Sequence, residues 1–141
     1  MSRAGPPGGP VEKLHHALQQ LFGDRVRRQA PFGARTTYRV GGSAALWLEA
    51  ENVADLAAVH RALAEVGFAV PVVVVGKGSN LLVADSGFPG LVVALGGTFD
   101  EVSIDAGRQL VRAGGAVGLP VLARRTAALG LRGLEWAVGV P

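Results

Sequence analysis

A chain of 141 residues, 49% of them hydrophobic and 18% charged, has the composition of a folded domain and can bury about two thirds of its unfolded surface. The absence of cysteine excludes disulfides, iron-sulfur clusters, thiolate zinc sites and cysteine nucleophiles, and no apolar run approaches the roughly 20 residues of a membrane helix. The net charge of +3 comes mostly from arginine, but few aromatics and no basic stripe along a helix argue against a nucleic-acid partner.

Residues 1–10 are rich in Gly and Pro, offer nothing to bury, and are expected to form a disordered tail. They do not read as a secretory signal, which places the chain in the cytoplasm. Residues 11–30 hold a short amphipathic helix and its lead-in: Val11, Leu14, Leu18 and Leu21 fall at helical spacing and Gly23 supplies the stop. Arginines then concentrate at Arg25, Arg27, Arg28, Arg35 and Arg39. That cluster is either a solvated edge or an attractor for an anionic ligand.

A second helix is expected from Val53 to Val66, with Asn52 as its cap, Asp55 in its first turn and Gly67 at its end. A third runs from Leu119 to Leu129, tolerating Pro120 in its first turn, with Leu119, Leu122, Thr126 and Leu129 on one side. Strand-like runs lie at Ala45–Glu49, Val72–Val75, Leu81–Val83, Leu91–Leu95, Glu101–Ile104 and Gln109–Ala113. The valines from Val72 have no polar face, which predicts a strand covered on both sides. Val102 and Ile104 alternate with Ser103 and Asp105, and a turn at Asp105–Gly107 folds this run onto the next as a hairpin with one wet face. The order of elements is that of an α+β, or mixed α/β, fold.

The segment most suggestive of chemistry is the loop Gly76-Lys77-Gly78-Ser79-Asn80-Leu81, entered directly from a valine strand. Glycines let the backbone approach a ligand, successive N–H groups can face one concavity, and Ser79 and Asn80 add side-chain donors, as a phosphate cradle requires. It is not a P-loop, since Lys77 is followed by Gly78 rather than by Ser or Thr opening a helix. Nor is it a Rossmann fingerprint, because Leu81 stands where a third glycine belongs. Spacing alone leaves open a tight connection that uses glycine only for geometry. His15, His16 and His60 lack metal-ligand spacing, so no metal site is expected.

Three segments in register carry a resemblance. Gly76–Leu82, followed by Asp85-Ser86-Gly87-Phe88-Pro89-Gly90, resembles the FAD-binding segment of the UDP-N-acetylenolpyruvoylglucosamine reductase family. Thr36-Thr37-Tyr38-Arg39-Val40-Gly41-Gly42 is similar to the motif that starts that family's FAD domain, and Gly133-Leu134-Glu135-Trp136-Ala137-Val138-Gly139-Val140-Pro141 to a run that lies against the flavin.

The resemblance implies an FAD-binding domain of the vanillyl-alcohol-oxidase/p-cresol-methylhydroxylase type over residues 31–141, with FAD extended between two α/β subdomains and the second cut short. Gly76, Lys77, Gly78, Ser79, Asn80 and Leu81 would line the pyrophosphate. Gly114 and Gly115 would be a second close backbone approach, and Gly139, Val140 and Pro141 would begin a second flavin loop. Related FAD oxidases often tether flavin to a histidine in the first loop, where this chain has Ser79 and Asn80, so FAD is expected to be noncovalent.

Family chemistry implies NADPH as co-substrate and reduction of a UDP-sugar enolpyruvyl ether to UDP-N-acetylmuramate. The family's catalytic residues lie past Pro141, so none is expected here, and this chain alone should turn over nothing and hold FAD poorly. Lys77 could serve as a point charge on phosphate, whereas Glu135 is expected to accept backbone hydrogen bonds in its turn. An FAD-linked oxidase of the same fold and a noncatalytic flavin-binding fragment are the rival readings.

Overall fold

The computed structural model describes residues 8–140. The expected tail over residues 1–7 and the candidate Pro141 lie outside them. Helix α1 spans Pro10–Phe22, so Pro10 belongs to the helix rather than to the tail. Its missing N–H costs nothing in a first turn, where N–H groups have no helical partner. Gly23 stops the helix at φ 56°. The chain then forms β1 (Val26–Ala30), a strand that alternation did not reveal because only its two end residues are buried.

A four-stranded sheet follows in the order β1-β2-β4-β3, with β2 at Ala44–Ala50, β3 at Val72–Val75 and β4 at Phe88–Leu95. β2, β4 and β3 are parallel, and β1 is antiparallel to β2. Helix α2 (Val53–Glu65) links β2 to β3, and the Asn52 side chain accepts a hydrogen bond from the Asp55 N–H at 3.0 Å as its cap. α1 and α2 cover one face of the sheet: Leu14 and Leu18, then Val59 and Leu63, pack on Leu46, Leu48, Leu91 and Val93. Residues 11–30 thus share the core of the sheet.

Among the described residues, the core cluster on the other face holds no helical residue. That face is closed by irregular chain, with Phe32 and Val83 packed on Trp47, Val75 and Val92. This accounts for two departures from expectation. Leu81–Val83 is not a strand: β3 and β4 are parallel, so the chain leaving β3 must run back across the sheet to start β4, and this segment does so over the face without joining a ladder. The Gly42 N–H ties it down by donating to the Ala84 carbonyl at 2.9 Å. The valine strand is likewise not covered on both sides. It sits at the sheet edge, where Val72 and Val74 are 40% and 58% exposed, and the strand buried on both faces is β4.

Beyond β4, the strands β5 (Val102–Asp105) and β6 (Leu110–Ala113) pair as the expected hairpin, a separate two-stranded sheet with alternating half-buried and exposed residues on β5. Helix α3 (Leu119–Ala128) packs against the 3-10 turn Glu135–Gly139. Ala123, Thr126 and Ala137 are buried there, while Leu129, placed on the apolar side by its spacing, is 53% exposed. Among the described residues no helix is long and apolar enough to cross a membrane.

Candidate cofactor site

The carboxyl ends of the parallel strands share one edge of the sheet, and the loop 76–81 leaves β3 there. Open α/β sheets bind ligands at this edge, because the connections diverge and backbone donors face outward. Two glycines let the loop lie where it does. A Cβ on Gly76 would stand 2.9 Å from the Gly115 carbonyl oxygen. Gly78 has φ +68°, and a Cβ there would stand 2.9 Å from the Arg35 carbonyl oxygen. Its own carbonyl accepts from the Thr37 N–H at 3.4 Å. The loop is wedged between Arg35–Thr37 on one side and Gly115 on the other.

Among the described residues nothing accepts a hydrogen bond from the backbone N–H of Lys77, Gly78, Ser79, Asn80 or Leu81. The side chains of Ser79 and Asn80 have no hydrogen-bond partner among the described residues either. Consecutive unpaired donors on a glycine-shaped loop suit an anion with several oxygens, such as a diphosphate. An apolar cavity of about 230 Å³ adjoins the loop, lined by Phe32, Val73, Leu81, Val83 and Phe88.

The sequence candidates separate under this geometry. Gly115 stands beside Gly76, and its N–H has no acceptor among the described residues. Gly114 serves packing: a Cβ there would stand 2.1 Å from the Phe99 carbonyl oxygen, and its N–H donates to Glu101. The Lys77 ammonium meets the Asp100 carboxylate at 2.5 Å. Gly139 has open space around it, Val140 is half-buried, and no hydrogen bond or ion pair among the described residues joins either to the loop.

Glu135 accepts from the Gly133 N–H at 2.7 Å. Hydrogen bonds from its own backbone N–H and that of Gly133 hold its pKa below the usual carboxylate range, so it stays ionised and has no proton to give. Of the arginine cluster, Arg25 pairs with Asp55 at 2.6 Å and Arg28 with Glu12 at 2.9 Å, while Arg35 stacks over Trp47 at 4.6 Å. Arg25 and Arg28 thus brace the helical face. Asp100, against which Lys77 rests, had no signal in the sequence.

A family profile described as "FAD binding domain" matches residues 44–141. The UDP-N-acetylenolpyruvoylglucosamine reductase of Heliobacterium modesticaldum is 44% identical over 120 residues, 85% of this chain and 37% of that protein. UDP-N-acetylenolpyruvoylglucosamine reductase 2 of Symbiobacterium thermophilum is 39% identical over 133 residues, 93% of this chain and 42% of that protein. The crystal structure of the corresponding reductase from Thermus caldophilus superposes with a TM-score of 0.61 at 34% identity, covering 83% of this chain and 38% of that one. p-Cresol methylhydroxylase, at 16% identity and a TM-score of 0.56, shares the fold.

The chain therefore belongs to the FAD-binding domain family, with the vanillyl-alcohol-oxidase/p-cresol-methylhydroxylase type of fold, and FAD is its cofactor. Within that family it is similar to UDP-N-acetylenolpyruvoylglucosamine reductases, and it spans about two fifths of the length of the curated relatives it matches.

Proposed function

We propose that this chain is the FAD-holding part of a UDP-N-acetylenolpyruvoylglucosamine reductase, acting in the cytoplasm, with residues 31–141 as the cofactor-binding portion. The observation that carries the reading is the row of five unpaired N–H groups from Lys77 to Leu81 on a loop whose glycines no other residue can replace without displacing backbone. When bound, FAD would carry hydride from NADPH to the enolpyruvyl double bond of a UDP-sugar, and a proton delivered to the neighbouring carbon would complete UDP-N-acetylmuramate.

The loop N–H groups, with the Ser79 hydroxyl and the Asn80 amide, would hold the cofactor's diphosphate oxygens, and fixed donors of this kind need no reorganisation as a ligand arrives. Gly76 and Gly78 would hold that row at its working distance from Arg35–Thr37 and from Gly115. Gly114 would keep the adjoining turn in place through Phe99, and Gly139, Val140 and Pro141 would begin a second loop against the flavin. No side chain of this chain is assigned to the proton transfer, since Glu135 is ionised and committed to its own turn.

Titration of the purified chain with FAD, read by quenching of flavin fluorescence and by protection against thermal unfolding, tests this. Saturable binding that Gly78→Val abolishes is the expected result. Binding indifferent to that substitution would refute the assignment of the loop.

A further inference from the structure

Asp100 is placed without help from Lys77. It ends the 3-10 turn Gly97–Asp100 that follows β4, at the same sheet edge as the loop. That turn is fixed by its backbone: Thr98 donates through its N–H to the Glu51 carbonyl at 2.8 Å, and the Phe99 carbonyl accepts from the Ala116 N–H at 3.0 Å. The stretch Gly114–Ala116 that receives Phe99 is the one Gly76 leans against. A carboxylate is thereby held against the end of the Lys77 side chain, on the residue that opens the row of unpaired N–H groups. Two anions at that rim repel unless a cation lies between them.

Lys77 is that cation. Its Nζ stands 2.5 Å from Asp100 Oδ1, and the two side chains are 56% and 45% exposed. Pairs this exposed contribute little to stability and exchange readily. An ammonium has three donors, so one carboxylate oxygen leaves others for a phosphate, which lysine engages as a mobile point charge. A brace between loop and turn is redundant where backbone hydrogen bonds already fix the turn.

We infer that Lys77 and Asp100 form an exchangeable counter-ion pair: Asp100 stores the ammonium beside the loop, and a bound diphosphate competes for it, so Asp100 sets how tightly the diphosphate is held. The inference rests on the reading of residues 77–81 as the diphosphate loop. Once a phosphate draws Lys77 away, the Asp100 carboxylate, 45% exposed, is screened by water and salt and repels the ligand only weakly. Removing it therefore improves binding chiefly by freeing Lys77.

The test is FAD titration of the wild-type chain, Asp100→Asn, Lys77→Met and the double variant across a series of salt concentrations. Asp100→Asn should bind about three- to tenfold tighter at low salt, with steeper salt dependence, because a freed surface charge then acts on the ligand and is screened. Lys77→Met should bind more weakly, and adding Asp100→Asn to it should change affinity less than about twofold. The inference is overturned if Asp100→Asn leaves affinity unchanged or weakens it, which is the behaviour of a brace. It is also overturned if the gain is as large without Lys77, since Asp100 would then be only a repelling charge. A wild-type chain that binds no FAD would overturn the loop reading itself, an outcome distinct from both.

Discussion

Gly78 and Gly67 permit a comparison that separates backbone strain from ligand recognition. Both have left-handed φ, +68° and +62°. A Cβ at Gly67 would meet nothing within 4 Å, whereas one at Gly78 would stand 2.9 Å from the Arg35 carbonyl oxygen. A left-handed alanine costs about 1–2 kcal/mol, part of it offset by a less flexible unfolded chain, so Gly67→Ala should cost about 1 kcal/mol. At Gly78 the oxygen or the loop must also move, which brings the cost to about 2–3 kcal/mol. For a chain of this size that is a fall in Tm of about 3–5 °C for Gly67→Ala and about 6–15 °C for Gly78→Ala, measurable by calorimetry. FAD affinity, measured well below both transitions, should fall at least about tenfold in Gly78→Ala, since displacing one donor misaligns the row, and stay level in Gly67→Ala. Equal losses of Tm with unchanged affinity in both would refute the claim that the close approach at Gly78 positions the loop.

Asp55 is partly buried, which raises its pKa, but the hydrogen bond from Arg25, that from the Glu51 N–H and the positive charge of Arg25 outweigh burial and leave it below the ordinary value. Because the folded pKa lies below the unfolded one, the stabilisation is complete above about pH 4 and is lost as pH falls through the folded value. Acid titration of stability should therefore show a drop in that range that is smaller in Asp55→Asn. Leu46 is fully buried between the sheet and the helices, so Leu46→Ala should cost about 2–5 kcal/mol in denaturant unfolding, while Val74→Ala on the exposed edge strand should cost under about 1 kcal/mol. FAD bound to the chain should be released into the supernatant on acid precipitation, because the first loop offers Ser79 and Asn80 where a covalent tether would need histidine. Flavin that stayed with the pellet would contradict this.

The helices were legible because each is written in short-range signals: Asn52 three residues before Asp55 specifies a cap, and Leu14 and Leu18 specify a buried stripe whatever they pack against. The valine strand shows what such signals omit. Four valines announce a strand, but whether it is central or at an edge depends on which strand pairs beyond it, and β4, sixteen positions further along, takes the interior place. Leu81–Val83 is apolar for the same reason a strand would be, since it covers a sheet face, yet the parallel geometry of β3 and β4 forces it to cross rather than pair. β1 was hidden because an edge strand with three exposed residues has almost no pattern to read.

The site divides along the same line. The loop from Gly76 to Leu81, proposed as the cradle, could be singled out directly, because glycine spacing and small polar residues state a backbone geometry within a few positions. The elements that make those glycines necessary lie elsewhere: the Arg35 carbonyl precedes the loop by two strands, and Gly115 follows it by nearly forty residues. Asp100 is further still from being readable, since one acidic residue at the end of a 3-10 turn has no pattern at all and acquires meaning only from the ammonium 2.5 Å away. Local sequence thus carries the shape of the loop and its proposed ligand. On the proposed reading the strength of binding would depend on charges that the fold brings to its rim, and for that reason the Lys77 and Asp100 variants, rather than further substitutions within the glycine run, probe what sequence resemblance does not reach.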